Sequence, residues 1–332
     1  MTTQQITLAF RPKGMPTLSN FSFEQIDLPE IQSGQVLLKG WYYSVDPYMR
    51  GRMNDAKSYS PPFQVDQPIE GGVVAIVAES KSDLFKIGDK VLGMLPWKKD
   101  IIASEKDIRK IDTSLAPAGY YLGILGMPGL TAYFGMMHIG KPKATDTVVI
   151  SGAAGAVGIV AGQIAKLQGC RVIGIAGTDE KVKVLLEEFG FDGAINYKTE
   201  KNIQKAVADL CPNGVDIYFD NVGGEISDAV ISNLNFHARV ALCGQIALYN
   251  STDTSLGPRI QSMLLTRSVL MQGFIVGNYK DQFPEALKQL GQWTKSGKLR
   301  YTETIIHGFD QLPTALLGLF KGRNTGKMIV EI

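Results

Sequence analysis

A chain of 332 residues with 45% hydrophobic and 20% charged side chains has an ordinary globular composition, and its length predicts about two domains. A formal net charge of +2 gives no electrostatic reason to expect nucleic acid or an anionic membrane as partner. No stretch is long and apolar enough to span a bilayer, and the opening MTTQQITLAFRPKG is too polar for a signal peptide. Three cysteines (Cys170, Cys211, Cys243) without close pairing suit a reducing compartment, so a cytoplasmic protein is expected.

Strands come first along the chain. QVLLKGWYYSV alternates in part, EGGVVAIVAES is β-branched and glycine-flanked, and FKIGDKVLGML reads as a hairpin-like run around Gly88-Asp89. Helical periodicity is weak over residues 1–122, which predicts a mostly-β domain. From Asp146 the pattern changes. TVVIS is a short continuous apolar run, as a strand buried on both faces requires. A glycine-rich turn and the helical IVAGQIAKLQ follow, closed by Gly169. Next come RVIGIAG, a helix over 179–189, GAINY, a helix over 202–210, VDIYFD, a helix near 226–234, and RVALCG. Strand alternating with helix at this rhythm predicts an α/β fold, a doubly wound parallel Rossmann sheet over residues 123–299. VLMQGFIV would be its sixth strand, a long apolar edge, with a helix over 283–295 behind it. ETIIHGF, a helix over 312–319 and KMIVEI then return, within 300–332, to the β domain.

Between TVVIS and its helix lies Gly152-Ala153-Ala154-Gly155-Ala156-Val157-Gly158. In the G-x-G-x-x-G register Gly155 and Gly158 take the second and third positions, and Ala153 stands in for the first glycine. Such a loop brings backbone close to a pyrophosphate and turns helix N–H groups toward it. Strand, loop and helix arrive in the required order, which separates this stretch from a glycine-rich turn that binds nothing. The following strand ends in Ala176-Gly177-Thr178, without the acid that holds the ribose hydroxyls in NAD-specific domains. That leaves room for a phosphate, and Lys181, one turn into the next helix, supplies positive charge, so NADPH is the expected cofactor. Asp179 could bind a ribose or act as a helix cap.

This layout resembles the medium-chain dehydrogenase/reductase superfamily, in which a mostly-β GroES-like catalytic domain accompanies the Rossmann domain. The superfamily's zinc enzymes carry an early cysteine and a G-H-E motif. Here no cysteine precedes Cys170, and Pro68-Ile69-Glu70-Gly71-Gly72 has isoleucine at the histidine position. His138, His237 and His307 are far apart and read as surface or core residues, so a zinc-free member is expected. The blocks VDPYMRGRM (45–53), GMPGLTAY (126–133), AAGAVG (153–158), NYKT (196–199), FDNVGGE (219–225), CGQIALYN (243–250) and GRNTGKMIV (322–330) narrow the match. In order and spacing they are similar to the prostaglandin reductase and leukotriene dehydrogenase family, with its plant alkenal double-bond reductases and bacterial curcumin-reductase-like proteins. The resemblance covers essentially the whole chain.

The resemblance implies a site residue by residue. Gly155, Ala156, Val157 and Gly158 would lie under the pyrophosphate, and Lys181 and Tyr197 would reach the 2′-phosphate. Asn221, Cys243, Gly244 and the segment from Phe274 to Val276 would line the ribose and nicotinamide, with Met127 and Thr131 bordering the ring. Asn324 would close over the cofactor. Tyr249 and Tyr48 match tyrosines that face the substrate, although Tyr48 could equally pack a domain core. The implied reaction is NADPH-dependent reduction of the carbon–carbon double bond of α,β-unsaturated aldehydes or ketones, in a homodimer joined along the sixth strand. Tyr249, just past CGQIA at the carboxyl edge of the sheet, is the leading donor to the developing oxyanion. A quinone reductase and a non-catalytic NADPH-binding protein are the alternatives. Loops at 48–65, 94–100 and 249–262 offer Tyr59, Phe63 and Trp97 to a substrate pocket, while Arg50, Arg52 and Arg259 could meet a carboxylate but read rather as solvated surface positions.

Overall fold

Antiparallel pairing organises the N-terminal segment of the computed structural model, which describes residues 1–332. β1 (Thr2–Leu8) and β2 (Phe21–Asp27) form a two-stranded sheet of their own. A larger sheet takes β3 (Gln35–Ser44), β4 (Glu70–Ser80), β5 (Lys90–Pro96), β6 (Asp100–Ser104) and β7 (Ile108–Lys110), with the short helix α1 (Tyr48–Arg52) leaving the end of β3. The sequence then enters strand–helix alternation: α2 (Met127–Phe134), β8 (Thr147–Ser151), α3 (Ala156–Leu167), β9 (Arg171–Ala176), α4 (Asp179–Glu187), β10 (Gly193–Asn196) and α5 (Ile203–Leu210). It continues through β11 (Val215–Asp220), α6 (Gly224–Ile231), β12 (Leu234–Leu242), α7 (Gln261–Thr266), β13 (Leu270–Gly273) and α8 (Phe283–Lys295). The chain closes on β14 (Glu303–His307), α9 (Leu312–Phe320) and β15 (Lys327–Glu331).

Two compact units result: Met1–Leu122 together with Glu303–Ile332, and Gly123–Thr302. In the first, the sheet order is β14-β15-β3-β4-β5-β7, with β6 also on β3. Its core gathers fully buried Tyr43, Met49, Met53, Ile69 and Trp97 with Phe309, Leu312 and Leu316 of the C-terminal return. In the second, six parallel strands run β10-β9-β8-β11-β12-β13. Numbered within the unit this is 3-2-1-4-5-6, the doubly wound Rossmann order, whose crevice for ligands opens beyond the carboxyl ends of the two central strands, β8 and β11. β8 is buried at every position, which explains its unbroken apolar sequence.

Two elements differ from the sequence reading. The helix expected near 226–234 begins at Gly224 and ends at Ile231, because Gly223 and Gly224 turn the chain at φ of 72° and 58° and Leu234 is already paired in β12. The sixth strand is four residues long, not eight: after Gly273 the Phe274 side chain turns inward, 7% exposed, and a 3₁₀ turn starts at Val276.

Candidate functional site

The carboxyl end of β8 opens the cofactor loop. Gly152 leaves the strand at a φ of +58°, so the tight turn falls on Gly152, one residue before the position the motif register assigns to Ala153. Gly155 caps α3 in extended geometry, with no side chain bonded to the helix start. The N–H groups of Ala156, Val157 and Gly158 therefore have no helical partner at the positive end of a 12-residue helix. A Cβ on Gly158 would lie 2.5 Å from the Gly152 carbonyl oxygen and 2.7 Å from Ala153 Cα, so only glycine lets helix and loop pack this closely. An open, uncapped helix start beside a closely folded loop fits a pyrophosphate.

At the end of β9, Thr178 is the cap of α4: its hydroxyl accepts from Lys181 N at 3.2 Å. Asp179 is not the cap; its carboxylate accepts from the Asn196 side chain at 2.7 Å. The half-buried Lys181 ammonium has its pKa lowered, first by burial and then by the neighbouring charge of Lys198. Two cations in one another's field, with Tyr197 packed over Gly177 beside them, fit a phosphate on the ribose. Lys198 was missed by sequence reasoning, although it directly follows Tyr197 in the NYKT block.

Beneath the central crevice lies a buried polar cluster that sequence reasoning also missed. Asp220, at the end of β11, is wholly buried. Its Oδ1 accepts from Ser151 Oγ and Tyr218 Oη, both at 2.8 Å, and from the N–H groups of Val222 and Gly223 at 3.0 Å. Ser151 in turn accepts from Asn221 N, and the Asn221 side chain donates to the Ser151 carbonyl at 2.8 Å. The Asp220 carbonyl accepts from Cys243 N and Gly244 N at 2.8 and 3.0 Å. The strand ends of β8, β11 and β12 are thus stitched together, and Asn221, Cys243 and Gly244 are held at one edge.

Tyr249 stands over this edge. Its hydroxyl oxygen accepts from the Gln245 N–H at 3.3 Å, and a Cβ on Gly244 would meet that oxygen at 3.2 Å. Burial raises the Tyr249 pKa most; the Gln245 bond opposes this, and the neighbouring Cys243 and Asp220 add to it. The phenol stays protonated at neutral pH. Burial and Asp220 push the Cys243 thiol up to about 12, which leaves it a neutral lining group and no nucleophile. Thr131 donates to the Met127 carbonyl at 2.7 Å within α2. The Phe274 ring packs edge-on against Phe219 at 6.3 Å inside the core, so this residue offers a ligand only its backbone, and Val276 follows half-buried.

Comparison with known proteins decides the family. Residues 4–111 match the profile of an N-terminal domain of oxidoreductases, and residues 156–292 match one described as a zinc-binding dehydrogenase. YfmJ of Bacillus subtilis (strain 168), assigned to the NADP-dependent oxidoreductases, is 57% identical over 99% of this chain and 97% of its own. The NADP-dependent 2-alkenal reductase of Nicotiana tabacum is 42% identical over 100% of this chain and 98% of its own. CurA from Vibrio vulnificus, in complex with NADPH, superposes with a TM-score of 0.93 at 43% identity, covering 99% of this chain and 98% of CurA. The chain belongs to the alkenal and prostaglandin reductase family of medium-chain oxidoreductases. It is an NADP-dependent oxidoreductase, and NADPH is its cofactor.

The remaining residues that the sequence resemblance assigns to a site lie in the first unit. Tyr48 opens α1, packed against the core; burial, then Asp46, raises its pKa, with Arg52 opposing. Asn324 is half-buried and donates to the Gly326 carbonyl at 2.7 Å. Several expected pocket residues are elsewhere. Trp97 and Phe63 belong to the core, at 0% and 3% exposure, and only Tyr59 is exposed. Arg50 is not solvated: at 3% exposure it donates to Asn54 Oδ1 and the Gly14 carbonyl. Arg52 lies 4.1 Å over the Phe63 ring and pairs with Glu70 at 3.2 Å. Despite the zinc in the second profile's description, no three His, Cys, Asp or Glu side chains gather as a metal would require. No helix is long and apolar enough to cross a membrane.

Proposed function

We propose that this reductase saturates the carbon–carbon double bond of α,β-unsaturated aldehydes and ketones without a metal. Bound NADPH supplies the hydride, delivered to the electron-poor β-carbon of the substrate. Negative charge then gathers on the substrate's carbonyl oxygen, which needs a hydrogen-bond donor already in place. Tyr249 carries this reading. Its oxygen takes the Gln245 N–H, which leaves the phenol proton to donate, and its raised pKa keeps that proton on at neutral pH. Ser151 and Asp220 hold Asn221 and the end of β12 rigid beneath it. Tyr48 is assigned to substrate positioning and Asn324 to cofactor contact.

The similarity to an enzyme printed as a 2-alkenal reductase favours this substrate class. A small enone incubated with NADPH should yield the saturated ketone, with unchanged turnover after chelation. An allylic alcohol as product, or turnover of quinones alone, would refute the reading.

A homodimer completes it. β13 ends the six-stranded sheet with an open edge, and Leu265 just before it and Leu270 on it are 80% and 48% exposed. Two such edges pair across a twofold axis, covering both the free backbone groups and the leucines.

A further inference from the structure

Lys327 is the one lysine of the chain that is buried, at 2% exposure. It opens β15, where an apolar side chain would pack without stripping water from a charge. Its ammonium donates to the Val45 carbonyl at 2.7 Å and to Asp46 Oδ1 at 2.9 Å, a contact across 281 positions of sequence. The other Asp46 oxygen accepts from the Ser44 hydroxyl, and the Asp46 carbonyl accepts from Met49 N in the first turn of α1. Ser44 and Asp46 are themselves buried, at 3% and 6% exposure.

What flanks this ion pair gives it meaning. Tyr48 lies immediately beyond Asp46-Pro47, and Asn324 immediately before Thr325-Gly326-Lys327. The Asn324 turn is itself braced, since Thr304 of β14 donates to the Thr325 carbonyl at 2.9 Å and accepts from Thr325 N at 3.0 Å. A side chain that must satisfy two chosen acceptors fixes register in a way an aliphatic one does not.

We propose that Lys327 is a positioning residue whose ion pair with Asp46 locks the Tyr48 segment to the Asn324 turn, so that substrate contact and cofactor contact are set together. This rests on the enone-reductase reading, with Tyr48 and Asn324 as ligand contacts. The test compares Lys327→Met with the charge-free pair Asp46→Asn/Lys327→Met, and uses Tyr48→Phe and Asn324→Ala as references. The pair removes the Asp46 charge together with its lysine partner, so it folds even where the single variant does not. Ser44→Ala, which removes only one anchor of Asp46, provides a milder variant. Enone KM and kcat come from steady-state rates, and NADPH Kd from fluorescence titration.

The charge-free pair should melt near the wild-type temperature yet raise enone KM and NADPH Kd together, each about five- to fifty-fold, with kcat falling less. Ser44→Ala should raise both by a smaller factor. Wild-type KM and Kd in the pair would overturn the proposal and leave the ion pair a stabilising contact alone. Wild-type KM in Tyr48→Phe would instead remove the substrate role of Tyr48. The NADPH Kd of the pair then decides: raised, it supports the lock; unchanged, it sinks it.

Discussion

Lys181 and Tyr249 are each asked to do one chemical task, and each can be tested by removing one group. Lys181 sits in the field of Lys198 on the first turn of α4, and a hydrogen bond to a charged partner contributes about 1.5–3 kcal/mol. Lys181→Ala should therefore weaken NADPH roughly 10- to 150-fold and leave NADH nearly unchanged. Equal losses for the two cofactors in titration would show that the lysine does not read the 2′-phosphate. Tyr249→Phe keeps the ring and removes the donor. Losing an oxyanion donor costs about 10²–10³ in rate when it acts alone. With another donor sharing the oxygen, kcat should fall roughly 10- to 100-fold while NADPH Kd stays put. A wild-type kcat would mean that the phenol is only packing.

Among the elements, the pairing of β14 with β15 carries a titratable group the catalytic reading does not use. Glu303, at the start of β14, has an Oε1 buried without a partner, and Gly119 fits against the carboxylate so closely that a Cβ would come within 2.6 Å. Burial raises its pKa from 4.5 to about 7, against the pull of Lys327. The folded chain thus binds a proton that the unfolded chain releases between pH 4.5 and about 7, so stability falls across that window as pH rises. Glu303→Gln should gain stability relative to wild type through the same window and level off above it, by on the order of 1 kcal/mol after allowing for partial exposure. Denaturant midpoints at several pH values measure this; a difference independent of pH would show that Glu303 does not titrate there. Elements of this kind were legible to different depths. β8 and α8 follow from local pattern, because strands buried on both faces and helices with one apolar stripe write their periods into the sequence, whereas α3, buried nearly all round, follows from its place after the glycine loop. VLMQGFIV was misread because an apolar run looks the same whether it continues as strand or turns its phenylalanine inward. The Asp220 cluster and the burial of Arg50 were illegible for another reason: their partners, Ser151 and Gly14, are 69 and 36 residues away.

At the scale of the whole molecule, the open edge of β13 and its exposed leucines predict a dimeric mass by light scattering at micromolar concentration. Charge substitution at Leu265 and Leu270 should shift that mass toward the monomer, and a wild-type monomer would remove the assembly from the account. In the proposed reaction hydride reaches the β-carbon of an enone. NADPH deuterated on either face of the nicotinamide C4, incubated with a small enone and followed by NMR of the product, tests it directly. One of the two labelled cofactors should place a single deuterium on the β-carbon of the saturated ketone, with the α-carbon protonated from solvent. Deuterium on a carbinol carbon, or at the α-position, would contradict it.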